Sequence, residues 1–233
     1  IGRGHPLVSY YTLMTALPDL PPLAKCKQLP ISRIALERRL TMLEEEDLKQ
    51  LQLAESLCHF SESPQPAVSD QKLVYQWQSQ LEQIHSTVIR ECVQLRLEWQ
   101  SVIAAMRQRQ QGDKGPEQYF GLGRWTTRIR QHWQEPAFGL EDAMPLLSEL
   151  QPQMQKGAAG EVEEQINTWL WQNLFQVERS HAFQLETVIC FVLRWGIAEK
   201  QIENDADQAL DAFESMVETL ISAPVIKEHI ESA

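Results

Sequence analysis

The chain has 233 residues, of which 43% are hydrophobic and 23% charged, and carries a formal net charge of −11. That length holds one large domain or two small ones. The acidic balance excludes a general nucleic-acid binder and simple electrostatic attachment to an anionic membrane, both of which need a basic surface. No stretch approaches the roughly 20 apolar residues that span a bilayer, so direct membrane insertion is not expected.

"IGRGHPLVS" opens the chain, and residues 1–8 read as a tail or an expression remnant ahead of one domain over 9–233. The apolar run of "VSYYTLMTALPDLPPL" ends at Pro18 and the Pro21-Pro22 pair and is too short to assign as helix or strand. Ile34, Leu36, Leu40 and Leu43 are spaced helically, and "EEEDLKQLQLAESLCHF" gives a second short helix within 9–60. Its acidic start, Glu44 to Asp47, suits the positive end of a helix dipole. "SESPQPAVSD" reads as a linker with Ser69 and Asp70 as capping candidates.

Trp77, Leu81, Ile84, Val88, Cys92, Leu95, Trp99, Val102 and Met106 then recur in steps of three and four. That seam predicts one continuous helix over 70–111, about 60 Å long. It can be internal, or it can leave a strip exposed for another helix. "GDKGPEQYFGLG" ends it, "RWTTRIRQHW" is a short basic helix, and "EPAFGLEDAMPLLSEL" is a turn followed by a helix. Three helices are expected to close the region 124–222. Val162, Ile166, Leu170 and Leu174 stripe the first, Val188, Val192 and Trp195 the second, and Leu210, Phe213 and Val217 the third. Asn204 or Asp205 would cap the last, with Pro224 near its end. Alternation of period two is missing, so the fold class is all-α: an elongated helical bundle around one long central helix.

Two ExxH pairs, Glu82/His85 and Glu178/His181, have the spacing that di-iron bundles use. Chance alone gives nearly one such pair in this composition. Glu82 and His85 flank the seam instead of lying on it, and Ser180 reads as an N-cap that would interrupt the second pair. Surface or boundary positions are therefore expected, with no metal and no cofactor. Cys26, Cys58, Cys92 and Cys190 are scattered and form no CxxC, which suits reduced thiols in cytoplasm. "GLGRW" does not extend to a phosphate-binding glycine motif, the neighbours Cys58 and His59 diverge on a helix, and His132 among Trp125 and Trp133 reads as structural. No catalytic residue is expected.

One charge feature stands apart. Arg107, Arg109, Lys114, Arg124, Arg128 and Arg130 face only two acidic residues between Arg107 and Trp133. Such a basic island is either an ordinary solvated surface or a face for an acidic protein partner. Arg107, Arg109, Arg124, Arg128 and Arg130 are its candidate binding residues.

Several stretches resemble a bacterial family of unknown-function proteins encoded in V-type ATPase operons. They are "YYTLMTALPDL", "CVQLRLEWQSVIAAMRQRQQG", "PAFGLEDAMPLLSEL", "INTWLWQNL" with "FQLETVICFVLRWGIAEKQ", and "DQALDAFESMVETL", in that order over residues 9–222. The closing pair, an apolar helix with a basic residue after its Leu, is also similar to the all-helical, funnel-shaped component of those ATPases that links the rotor shaft to the membrane ring. The resemblance implies a fold of that kind and a non-enzymatic, cytoplasmic helical subunit or assembly factor, peripheral to the inner membrane through its complex. Its partners would be the rotor shaft and the membrane ring. The alternatives are a metal-dependent helical-bundle enzyme using the two ExxH pairs, and a helical adaptor unrelated to ATPases.

Overall fold

A computed structural model describes residues 6–58, 69–112 and 115–222, and among them it contains helices and no strand. In chain order the helices are α1 (Pro6–Ala16), α2 (Arg33–Leu40), α3 (Glu45–Cys58), α4 (Asp70–Leu81), α5 (Thr87–Gln110), α6 (Thr126–Gln131), α7 (Leu146–Gln155), α8 (Ala159–Ser180) and α9 (Leu185–Ser222). Short 3-10 turns occupy Leu23–Lys25 and Pro136–Gly139. The opening apolar run is thus helical, and α1 takes in residues 6–8 of the expected tail. Residues 1–5, most of the expected linker (59–68), Lys114 and Pro224 lie outside the described residues.

The continuous helix expected over 70–111 does not form. The chain leaves helical geometry between Leu81 and Thr87, although no Gly or Pro stands there. Side chains replace the lost backbone bonds. The Gln50 amide on α3 donates to the Gln83 carbonyl (3.1 Å) and accepts from the His85 N–H (2.8 Å). The Arg90 guanidinium donates to the Ile84 carbonyl, and the Ser86 hydroxyl accepts from the Ile89 N–H (3.4 Å) as the N-cap of α5. Every freed polar group named here finds a partner, which is the condition for breaking a helix against a packed core. Periodicity cannot reveal this, because Trp77, Leu81 and Ile84 keep their apolar spacing across the break.

The long helix lies at the other end of the chain. α9 runs 38 residues without a stop, so the second and third expected closing helices are one. Asn204 and Asp205 sit inside it instead of capping a new helix. Neither Pro nor a Gly pair interrupts this stretch, and single Asn or Asp residues lower helix propensity only slightly. The stop falls earlier, at residues 181–184, where Phe183 adopts the left-handed conformation (φ 62°). Ser180, expected to open a helix, closes α8, and its hydroxyl donates back to the Gln176 carbonyl.

The four-residue connection folds α8 and α9 into an antiparallel hairpin, the most extensive helix contact among the described residues. α3 and α5 pack on the first half of α9. Leu51, Ile89, Val93, Leu97, Val188 and Trp195 are fully buried between them. The Trp195 indole donates to the Ile31 carbonyl (3.0 Å), tying the segment before α2 to the core. Arg33 bridges Glu37 on its own helix and Glu55 on α3, and the Tyr10 hydroxyl donates to Asp47 (2.6 Å), joining α1 to α3.

The seam on α5 is rotated from its expected position. Ile89, Val93 and Leu97 are the buried stripe, followed by Trp99, Val102 and Met106. Val88, Cys92 and Leu95 are only half-buried.

Candidate functional site

Those three half-buried residues form one wall of an open groove of about 610 Å³. α8 supplies Leu170, Leu174 and Val177 opposite them, and Leu193 and Ile197 of α9 form its floor. Arg96, Arg124, Glu91 and Asn173 add polar groups to its lining. Burial pushes the Arg96 guanidinium down to about 10, still charged at neutral pH. Predominantly apolar walls with a few polar groups are the composition of a recognition groove, and the i, i+4, i+7 spacing on α5 is that of a helix-packing surface.

The α8–α9 hairpin that carries the groove is locked by one residue. The Arg194 guanidinium, 4% exposed, lies 2.5 Å from the Glu178 carboxylate and 4.4 and 4.7 Å from the ring centres of Trp171 and Phe175. Burial raises the Glu178 carboxyl above its ordinary range, against the pull of Arg194.

Next to the groove, the loop before α6 is pinned onto α5. Glu98, 1% exposed, accepts from the Arg124 backbone N–H (3.1 Å), the Arg124 side chain and the Gln94 amide. The Ser101 hydroxyl accepts from the Leu122 N–H (2.9 Å). Gly123, at φ 95°, passes so close to Glu98 that a Cβ would overlap its side chain. Only glycine meets both conditions.

The five candidate arginines therefore divide. Arg124 holds the buried Glu98. Arg109 donates to the carbonyls of Trp133 (3.1 Å) and Glu135 (2.6 Å) and lies over the Phe138 ring. Arg130 donates to the Tyr119 carbonyl (2.6 Å). These three brace the fold between α5 and α7. Arg107 and Arg128 are exposed, and Arg107 lines a second groove, about 540 Å³, between α4, α5 and α8.

Arg109 also supports a strained turn. Ala137, Phe138 and Gly139 are consecutively left-handed (φ 46°, 56° and 61°). For Ala and Phe this costs about 1–2 kcal/mol each. The offset is the complete burial of Phe138 against Trp133 and the Arg109 guanidinium.

The ExxH residues are otherwise engaged. Glu178 serves Arg194. His181 is the C-cap of α8, with Nδ1 3.0 Å from the Val177 carbonyl. Glu82 is exposed at the end of α4, and His85 lies 3.9 Å from Glu46. Among the described residues, no three His, Cys, Asp or Glu side chains are grouped to hold a metal ion. His132 contacts Glu135 (2.8 Å).

Three of the cysteines, scattered in sequence, belong to one region. Cys58 and Cys92 line the groove, and the thiols of Cys92 and Cys190 are hydrogen-bonded. That bond lowers the Cys92 thiol and raises Cys190, while burial pushes Cys58 up to about 12.

A family described as "Protein of unknown function (DUF2764)" matches residues 56–223. The chain belongs to that family. The match runs from the last turn of α3 through α9, so it contains the groove, the pinned loop, the left-handed turn and the Arg194 lock. α1 and α2, with the segment "YYTLMTALPDL", precede it. No curated protein and no solved structure matches the chain. No helix among the described residues is long and apolar enough to cross a membrane.

Sequence reasoning reached the groove only in part. It singled out Val88, Cys92 and Leu95 as one stripe and allowed that a strip could stay exposed. It did not reach Glu98, Arg194 or Gln50, whose roles depend on contacts 16 to 35 residues away in the chain. The available signal was the type of residue: a charge or amide within an apolar stretch must be paired if buried.

Proposed function

We propose that this protein is a non-enzymatic helical subunit or assembly factor of a bacterial V-type ATPase, coupling the rotor shaft to the membrane ring. The observation that carries a docking role is the half-open apolar groove across α5, α8 and α9. A chain with ample apolar residues leaves a helix-spaced stripe uncovered there, as a face for a partner helix would require. The ATPase assignment is supported by the resemblance of its segments to proteins of such operons. The family match covers most of those segments. Arg107 and Arg128 supply the free part of the basic island for an acidic partner surface, in a complex peripheral to the membrane.

Affinity purification from native membranes, under conditions that keep the rotary complex intact, tests the reading. Co-recovery of rotor-shaft and membrane-ring proteins is expected. Recovery of the chain with no ATPase component overturns it. A helical adaptor unrelated to ATPases would then be the remaining reading, with the groove still its docking face.

A further inference from the structure

The hairpin has arms of unequal length. α8 has 22 residues and α9 has 38, about 33 Å against 57 Å. Antiparallel pairing therefore leaves about 24 Å of α9 beyond the start of α8. Burial follows this geometry. Ala198 is buried and Ile202 half-buried, whereas Glu203, Asp205, Ala206 and Asp207 are exposed, and Phe213 is 63% exposed.

The sequence of this reach is not that of a solvated tail. Ala206, Leu210, Phe213, Val217 and Leu220 recur in alternating steps of four and three, which places them on one helix face as a coiled-coil seam. Glu203, Asp205, Asp207, Asp211, Glu214 and Glu218 are acidic, and no Lys or Arg occurs from 203 to 222. Asp207 and Glu214 each follow a seam residue directly, the position from which charges choose a coiled-coil partner.

Charge decides the occupant. A second copy of the chain would set two all-acidic helices side by side, and like charges across an interface cost several kcal/mol. We propose that residues 203–222 of α9 are a docking helix for an amphipathic helix of another protein whose apolar seam is flanked by Lys or Arg. The partner covers Phe213 and pairs with Asp207 and Glu214. This inference does not rest on the ATPase assignment, and the surface lies apart from the α5–α8–α9 groove.

The full chain is titrated with a synthetic amphipathic peptide of about 20 residues, long enough to span the reach. The peptide carries a Leu/Ile seam flanked by Lys. A counterpart carries Glu in place of every Lys. The Lys peptide is expected to bind, to weaken as salt rises, and to slow amide exchange over 203–222. The Glu peptide should bind at least about tenfold more weakly. Asp207→Lys with Glu214→Lys should reverse the order, and Phe213→Asp should abolish binding while leaving the thermal transition unchanged. Equal binding of both peptides, binding of neither, or binding that survives Phe213→Asp overturns the proposal. So does a dimer of the chain alone that Phe213→Asp dissociates.

Discussion

The guanidinium of Arg194 sits 2.5 Å from the carboxylate of Glu178, joining the two arms of the α8–α9 hairpin between the rings of Trp171 and Phe175. Two forces act on Glu178: burial raises its carboxyl, and Arg194 opposes that rise. A carboxyl raised in the folded state holds its proton more tightly than in the unfolded chain. Its contribution to stability is therefore greatest at low pH and is lost as pH rises through the folded value. Arg194→Met removes the opposing charge, so the loss grows and extends to higher pH. The variant should be destabilised by about 3–5 kcal/mol at pH 7. The deficit should shrink toward pH 4, where Glu178 is protonated. Denaturant titrations of both proteins at the two pH values check this, and a deficit that grows on acidification would contradict the account.

Leu95 and Leu97 separate the expected seam from the observed one. Leu97 is fully buried, and Leu95 lines the groove. Leu97→Ala should cost about 2–5 kcal/mol through lost burial and a cavity. Leu95→Ala removes surface already open to water and should cost under about 1.5 kcal/mol. Chemical denaturation orders the two, and the reverse order would restore Leu95 to the core.

How far the fold was legible follows from cases of this kind. Helical class, the α8 stripe and the acidic start of α3 are local properties, and the sequence pattern is sufficient for them. Continuity is not local. The α4–α5 break depends on Gln50 reaching across from α3, and the unbroken α9 depends on packing that overrides weak capping signals at Asn204 and Asp205. The candidate site was legible to the same degree. The basic residues near α6 could be counted, but only the fold shows that Arg109, Arg124 and Arg130 are spent on carbonyls and on a buried carboxylate.

Gln50 is a sharp test of the helix break. Its amide serves one carbonyl and one N–H of the connecting segment. Gln50→Leu keeps the volume and removes both bonds, leaving two backbone groups without their partner. A loss of about 2–4 kcal/mol is expected. Amide exchange at His85 should accelerate with it. A silent substitution would mean that water satisfies the break and that Gln50 is incidental to it.

The basic island yields a paired prediction. Arg107→Glu and Arg128→Glu change exposed charges and should each alter stability by no more than about 0.5 kcal/mol. Arg124→Ala withdraws the cation from buried Glu98 and should cost about 1–3 kcal/mol. In membrane pull-downs the first two should weaken partner recovery most at low salt, where exposed charges are least screened. Recovery that does not respond to either substitution removes these two residues from the docking surface.

Cys92 reports on the groove. The Cys190 thiol lowers its pKa, and it is the half-buried member of the set, whereas Cys26 and Cys58 are raised by burial and Cys190 is raised as the partner of Cys92. The thiolate is the reactive form, so Cys92 should alkylate first when the purified chain meets iodoacetamide near pH 8. Cys190→Ala removes the hydrogen bond and should slow that reaction, because burial then raises Cys92 unopposed. Peptide mass spectrometry assigns the modified site. The same reagent applied to native membranes asks whether the groove is filled. A partner helix seated against Val88, Cys92 and Leu95 covers the thiol, so Cys92 should be protected there and exposed again after the chain is stripped from its complex. Equal labelling in both states would show that the groove is empty in the assembly. The docking face would then have to lie elsewhere, while the rate order among the four thiols would still stand or fall on the purified chain alone.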